Sequence, residues 1–195
     1  MNFSRGHQMI VHDPGLGVRA DPTRRLVPPV AYRRWTVHPH NTVNHILSRV
    51  GNVGGHCPGG LDAVHFMAHG SPGSMRIGRE RMNNSNIDSF AMLEGNVRFI
   101  VFFSCSVGGE RQGTSYMRGE QDTYGRRISD ISGATVVMAQ QTQTYSYSAE
   151  GVIDFGPWEG PVDVFSPGRR ATYQADNPFR QERRIDLESM IFGGR

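Results

Sequence analysis

A histidine and a cysteine, residue types that can act as base and nucleophile, lie at the ends of two apolar segments. His69 follows residues 63–68, and Cys105 comes just after residues 99–103. A thiol near an imidazole is the minimal apparatus for covalent acyl transfer, because the imidazole favours the thiolate and later protonates the leaving amine. Backbone N–H groups stabilise the oxyanion in such sites, and those of Gly70 and Cys105 are the predicted donors. The sequence therefore predicts a His69–Cys105 dyad.

The order of these residues along the chain excludes several hydrolase classes. All eight histidines precede residue 70, so no histidine follows Cys105, and Cys57 is followed only by His65 and His69. A papain-type enzyme needs its histidine far downstream of its cysteine. The sequence also has neither a Gly-x-Ser-x-Gly nor a His-Glu-x-x-His motif, which excludes the simplest serine-hydrolase and zincin interpretations.

The elements that must position the dyad alternate between strand and helix. The apolar and β-branched runs predict strands at 8–12, 34–37, 63–68, 99–103 and 134–139. Helical spacing predicts three helices, one capped by Asn41 and ending at Gly51, one from about Asn84 to Gly95, and one containing Tyr124 and Ile128. This alternation predicts an α/β fold with a mainly parallel sheet, in which ligands bind beyond the carboxyl ends of the strands. A right-handed crossover then brings His69 and Cys105 to one edge.

The remaining segments carry weaker signals. Prolines and glycines predict loops over residues 14–30 and after Gly70. Residues 152–155 and 162–165, separated by Gly156-Pro157, predict a hairpin, and the charged stretch 180–191 predicts a terminal helix. We expect a single domain over residues 1–195, with a core at about 8–140 and a C-terminal hairpin and tail at 141–195.

Two blocks of the sequence resemble the caspase-like (clan CD) cysteine peptidases, which include caspases, metacaspases, gingipains, clostripain and separase. The blocks are Val64-His65-Phe66-Met67-Ala68-His69-Gly70 and Phe99-Ile100-Val101-Phe102-Phe103-Ser104-Cys105. The stretch 68–73 with Ile77-Gly78, and the later stretch 131–136, are most similar to bacterial caspase-like, CHAT and gingipain-type domains. The resemblance covers residues 8–140 in element order and is specific only around the two blocks. It implies a three-layer α/β/α sandwich, with His69 as general acid/base and Cys105 as nucleophile.

The resemblance does not extend to the pocket for the substrate residue before the scissile bond, the P1 residue. Family members that cleave after Lys or Arg often have Asp two residues before the cysteine, where this chain has Phe103, and the caspase glutamine is also missing. Phe103 is therefore a candidate to line this pocket, and the P1 preference is not predicted. Arg76, Arg79 and Arg111 follow strands in predicted loops and are candidates to line a pocket for an acidic P1 side chain.

Other cysteine and histidine residues have simpler interpretations. His65 shares the strand face of Met67 and is predicted to be packed, and Cys57 is predicted to be an ordinary loop cysteine. The histidines and Cys57 match no metal-ligand spacing, so we predict no metal site and no organic cofactor. Calcium activation, which occurs among the relatives, is left open.

Composition and charge limit the other function classes. Hydrophobic residues make up 37% of the 195, no apolar run approaches a membrane span, and the N-terminus has no signal-peptide core. We therefore expect no membrane partner and a protein that is cytoplasmic or exported without a cleaved signal. All 21 basic residues are Arg, and residues 1–50 carry seven of them against two Asp. No nucleic-acid-binding signature accompanies them, which favours a solvated surface.

The leading hypothesis is a cysteine endopeptidase acting on protein or peptide substrates through a thioester, as a bacterial effector, toxin or defence protease. Self-cleavage, if it occurs, is expected in the loop 108–122. A second hypothesis is a catalytically silent caspase-like binding module. A third is a nucleic-acid binder that uses the arginines of residues 19–35, Arg24, Arg25, Arg33 and Arg34. The oligomeric state is not predicted.

Overall fold

Apolar segments of the sequence form most of a central sheet in the computed structural model, which describes residues 7–16, 19–20, 31–105, 107–108, 118–143, 146–147, 152–154, 158 and 160–174. The strands are β1 (His7–His12), β2 (Arg19–Ala20), β3 (Ala31–Thr36), β4 (Leu61–Met67), β5 (His69–Ser71), β6 (Ser74–Ile77), β7 (Glu80–Met82), β8 (Val97–Phe103), β9 (Thr135–Ala139), β10 (Ser146–Tyr147), β11 (Val152–Asp154), β12 (Pro161–Ser166) and β13 (Arg169–Gln174). Among the described residues, the helices are α1 (Val43–Gly55) and α2 (Arg118–Ser132), with 3-10 helices at Pro14–Leu16 and Ile87–Leu93.

The central sheet has seven strands in the order β13-β12-β9-β8-β4-β1-β3. Strands β3, β1, β4, β8 and β9 pair in parallel, whereas β12 runs antiparallel to β9 and to β13. The predicted α/β class with a mainly parallel sheet is confirmed. The inner parallel strands β1, β4, β8 and β9 are mostly buried on both faces, as expected where a sheet is covered on both sides, whereas the edge strand β3 has exposed arginines.

The two faces of the sheet pack differently. On the first face, α1, Ile87–Leu93 and α2 bury their apolar sides against alternate strand residues such as Phe66 and Phe102. On the second face the described cluster contains strand residues together with Leu16 and Trp158. The described part of the chain therefore contains two of the three layers of the predicted sandwich. None of the described helices is long and apolar enough to cross a membrane.

Helix α1 begins one residue later and ends four residues later than its sequence predicts. Its N-cap is Thr42, whose Oγ1 accepts a hydrogen bond from the His45 N–H at 3.1 Å. The helix continues through Gly51, which lies against the backbone carbonyl of Met92. A larger residue at this position would collide with that carbonyl. Gly54 contacts the carbonyl of Asn96 in the same way. These glycines serve helix packing, and the predicted stop at Gly51 is wrong.

The predicted loop after Gly70 is also wrong. Strands β5, β6 and β7 form a small antiparallel sheet there, in sequence order. The next helix is a 3-10 helix rather than an α-helix, and its N-cap, Asn86, makes no side-chain cap hydrogen bond. The short strands and their Gly, Ser and Pro turns have the composition of a loop, which explains the error.

The predicted C-terminal hairpin has the wrong partners. Strand β11 pairs with β10 and β2, whereas β12 pairs with β9 and forms its hairpin with β13. Strand β2 also interrupts the loop predicted over residues 14–30. The terminal helix predicted at 180–191 lies outside the described residues.

Candidate active site

The carboxyl ends of β4 and β8 bring His69 and Cys105 to one edge of the central sheet. The sequence predicts these strands to be neighbours or near neighbours, and they are direct parallel neighbours whose pairing ends at Met67 opposite Phe103. His69 and Cys105 each come two residues after this last pair. The chain order of the two residues and their position at the same edge are thus consequences of one strand pairing.

Gly70 is the point where the two segments touch. A Cβ at this position would collide with the backbone oxygen of Cys105, and would stand 2.7 Å from Val107 Cγ2 and 2.9 Å from Ser104 Cβ. Only glycine permits this approach, because any side chain would push β5 away from the Cys105 segment. The identity of residue 70 therefore determines how near the histidine segment lies to the cysteine segment.

Backbone hydrogen bonds join three strand ends at this edge. The Gly73 N–H donates to the Val107 carbonyl at 3.0 Å, which links the β5–β6 turn to the segment after Cys105. The Gly108 N–H donates to the Ala139 carbonyl at 2.8 Å, which links the same segment to the end of β9. Residues 107–108, which follow Cys105, are thus held between the β5–β6 turn and the end of β9.

The Cys105 thiol is half-buried and faces the segment that follows β9. Its Sγ donates a hydrogen bond to the Gln143 carbonyl over 3.5 Å. The Gln143 side chain is buried and donates through Nε2 to the Gln141 carbonyl at 3.2 Å. The thiol is therefore close to the backbone of residues 141–143, which forms one wall of the site.

The His69 imidazole is exposed, and its orientation is set by a backbone carbonyl. Its Nε2 lies 3.2 Å from the oxygen of Gly15, in the 3-10 helix that follows β1. Because a carbonyl oxygen can only accept, Nε2 must carry the hydrogen of this bond. In the neutral tautomer with this hydrogen bond, the lone pair of the ring is on Nδ1.

Asp13 holds the carbonyl that orients His69, although the sequence predicts this residue only as part of a turn. Its Oδ1 accepts from the Gly15 N–H at 2.7 Å, and its Oδ2 accepts from the Gly78 N–H at 2.6 Å. The carboxylate thus joins the loop after β1 to the turn after β6. The Asp13-Pro-Gly15 sequence, typical of an Asx turn, was the available signal.

Phe103, the predicted pocket residue two positions before Cys105, is buried. Its ring stacks on Trp158 with centroids 4.8 Å apart and planes inclined by 15°. The His65 ring lies 5.6 Å from it on the same face of the sheet. An aromatic stack therefore occupies the position two residues before Cys105.

The three arginines predicted near the pocket have different surroundings. Arg76 is exposed and pairs directly across from His69 in the β5–β6 ladder. Arg79 is exposed beside Glu80, with Nε 3.5 Å from Oε1. Arg111 lies outside the described residues.

Two other histidines are buried in the second face. His65 Nε2 lies 2.7 Å from Gln8 Oε1, and burial lowers the pKa of His65 to about 3. Burial also lowers the pKa of His12, against the opposing effect of the Asp13 carboxylate. Both rings are neutral near pH 7, and His65 is packed as its position in the strand predicts.

Cys57 lies far from the dyad along the strands. It follows α1 and precedes β4, so it belongs to the amino end of β4, whereas His69 follows the carboxyl end. It is partly buried against the first-face cluster. In the part of the chain that the structure describes, no three His, Cys, Asp or Glu side chains converge on a point where a metal ion could bind.

The arginines of the nucleic-acid hypothesis are only partly described. Arg33 and Arg34 are exposed on β3, the edge strand of the central sheet, and Arg24 and Arg25 lie outside the described residues. The nearby Trp35 packs under the guanidinium of Arg49, whose Cζ lies 4.4 Å from the ring centroid.

No protein-family model matches this sequence, and no curated protein matches it either. Among solved structures, the fold is similar to the crystal structure of caspase-1 from Spodoptera frugiperda, with a TM-score of 0.42 and 14% sequence identity. The similarity covers 73% of this chain and 62% of that chain.

Proposed function

We propose that this chain is a cysteine endopeptidase in which Cys105 is the nucleophile and His69 the general base and acid. The observation that carries the proposal is the hydrogen bond from His69 Nε2 to the Gly15 carbonyl. It leaves Nδ1 as the proton acceptor, at the edge where Gly70 touches the Cys105 backbone. The resemblance of the two strand blocks to caspase-like peptidases supports the same assignment.

The reaction has two steps that balance through His69. In acylation, the Cys105 proton moves to His69 Nδ1, Sγ bonds to the scissile carbonyl carbon, and the C–N bond breaks as the imidazolium protonates the leaving amine. In deacylation, a water gives its proton to Nδ1 and attacks the thioester. The carboxylic acid product then leaves and the thiol regains its proton.

The backbone N–H groups of Gly70 and Cys105 are the proposed donors to the oxyanion of each tetrahedral intermediate. Preorganised donors of this kind typically contribute about 10²–10³ in rate. Support comes from the tight contact between residue 70 and the Cys105 backbone, which fixes the two peptide groups relative to each other.

The finer assignment has two supports: the resemblance of residues 68–73, 77–78 and 131–136 to bacterial caspase-like domains, and the lack of a signal-peptide core, which fits an effector, toxin or defence protease. We propose it as the class to test first for natural substrates. Phe103 is stacked on Trp158 and supplies no charge that would select a basic P1 side chain. The P1 preference is therefore to be read from the cleavage sites themselves.

The experiment is cleavage of a proteome-derived peptide library by the wild-type protein, Cys105→Ala and Cys57→Ala, with and without calcium. New termini are read by mass spectrometry. We expect cuts by the wild type and by Cys57→Ala, and no cuts by Cys105→Ala. Cys57 is the matched control, since it is the only other cysteine and belongs to the opposite end of β4.

A silent binding module is the second candidate function. One observation favours it: the Cys105 thiol donates to the Gln143 carbonyl in this structure. A module of this kind makes no library cuts in either condition, and a thiol-directed acyl-mimic probe does not distinguish its Cys105 from Cys57. Cuts that depend on Cys105 exclude it.

A further inference from the structure

The small sheet that begins at His69 has one buried face and one exposed face. Met75, Ile77 and Met82 point into the first-face cluster and are fully buried. Side chains alternate along strands, so the residues between them share the opposite face. That face, here called the arm face, consists of five polar side chains: His69, Ser71, Ser74, Arg76 and Arg81.

Three ionisable side chains form a row on the arm face. Arg76 is directly opposite His69 in one ladder and directly opposite Arg81 in the other. Side chains that face each other across an antiparallel pair have Cβ atoms about 4.5–5.5 Å apart, and like charges in that position are destabilising. The two positive guanidinium groups next to His69 therefore lower the free energy of unfolding, unless a bound anion lies between them or contacts them.

Hydroxyl groups hold one of these guanidinium groups in place. Arg81 Nη1 lies 3.3 Å from Ser71 Oγ and 3.3 Å from Ser74 Oγ, and the two hydroxyls are 2.8 Å apart. A guanidinium has five N–H donors, so Arg81 still has several that can bind an anion. These donors form a fork whose geometry suits a carboxylate.

The nearest acid along the chain does not neutralise the row. Glu80 alternates to the other side of β7, where its Oε2 accepts from the Val43 N–H at 2.8 Å and its Oε1 lies 3.5 Å from Arg79 Nε. The ion pairs among the described residues are Arg79–Glu80 and Arg127–Asp88, and neither includes Arg76 or Arg81. The arm face is therefore a net positive surface that begins at the imidazole.

We propose that the arm face binds an acidic side chain of the substrate in the first or second position after the scissile bond. The proposal rests on the proposed function, because His69 must reach the leaving amine. Substrate residues on the carboxyl side of the cut then pass the imidazole, beside Arg76. Arg76 and Arg81 select an Asp or Glu there by charge-assisted hydrogen bonds.

The test compares amidated peptides that differ only by Glu or Gln in those two positions, so that no terminal carboxylate competes. We expect the wild type to prefer Glu by about tenfold in kcat/KM, the effect of one exposed charge-assisted contact. The double variant Arg76→Gln/Arg81→Gln should lose the preference. Arg98→Gln is the matched control, because Arg98 is exposed at the amino end of β8, and it should keep the preference.

A binding measurement separates failure of this proposal from failure of the proposed function. Cys105→Ala is titrated with the same two peptides carrying a fluorophore, and the anisotropy is measured. About tenfold tighter binding of the Glu peptide, lost in the Arg76/Arg81 double variant, supports the proposal even where no cleavage occurs. Equal affinities for the two peptides, or a preference that survives the double substitution, overturn it.

Discussion

His65 and His69 lie four residues apart on the same segment, yet the structure gives them opposite environments. His65 is within β4, 1% exposed, bonded to Gln8, with a pKa lowered to about 3 by burial. His69 is past the end of the strand, exposed, and oriented by the Gly15 carbonyl. The sheet interior keeps a histidine buried and neutral, whereas the carboxyl edge leaves the His69 ring exposed, as the proposed general base requires.

The largest expected effect on kcat comes from replacing His69, with the replacement of His65 as its control. His69→Ala should lower kcat for peptide cleavage by about 10³, within the range for loss of a general acid/base. His65→Gln should change kcat by less than about threefold, because it removes a packed ring and no reacting group. Steady-state kinetics on one good peptide measure both. Similar losses in the two variants would break the distinction between interior and edge.

Gly70→Ala sharpens the comparison at the edge itself. Its methyl group must displace the Cys105 backbone, and a misplacement of about 1 Å costs on the order of 10² in rate. Gly73→Ala is the matched control: Gly73 has φ +66° but nothing within 4 Å of the position that a Cβ would occupy, so this variant should lose stability and keep kcat. A Gly70→Ala enzyme with normal kcat would show that the close approach is unimportant for activity.

Asp13→Asn tests how the edge histidine is oriented. Asp13 is a positioning residue, since it touches Gly15 and Gly78 rather than the substrate. The amide can accept only one of the two N–H bonds, so we expect about a tenfold fall in kcat with little change in KM. Asp13→Glu keeps the charge but has a longer side chain that moves the carboxylate. We expect its kcat to be lowered as well, because the two hydrogen bonds depend on the length of the side chain. A change confined to KM would contradict this role.

The smallest expected effect is a pH dependence of stability from the interior. The pKa of His65 is about 3 when folded and about 6.5 when unfolded, so the unfolded chain binds the extra proton between those values. The unfolding free energy should therefore fall as pH decreases below about 6.5, by up to about 1.4 kcal/mol per pH unit. Urea denaturation at several pH values measures this slope. His65→Gln should reduce the slope, leaving the part that comes from the lowered pKa of His12.

The parts of the fold that the sequence predicted are those governed by local pattern. Apolar runs identified β1, β4, β8 and β9, and their parallel order followed from the intervening helices. The chemistry-bearing residues His69 and Cys105 were visible because each side chain follows a buried strand. That position is a property of single residues and needs no knowledge of distant partners.

The parts that the sequence did not predict depend on contacts between distant segments. The Gly15 carbonyl that orients His69 is main chain, so no residue type announces it. The β12–β13 hairpin competes with a stronger local turn signal at Gly156-Pro157, and only pairing with β9 decides between them. Gly51 was predicted to end a helix because the sequence nearby does not reveal its packing partner. That partner, Met92, is 41 residues further along the chain.

The most direct test of the central claim is labelling with a peptidyl acyloxymethyl ketone that alkylates an activated active-site thiol, followed by intact-mass and peptide mass spectrometry. We predict one adduct, on Cys105 and not on Cys57, formed at the same rate in His65→Gln and lost in His69→Ala. Labelling of Cys105 that is unchanged in His69→Ala, or equal labelling of the two cysteines, would contradict the assignment of the dyad to the carboxyl edge of the sheet.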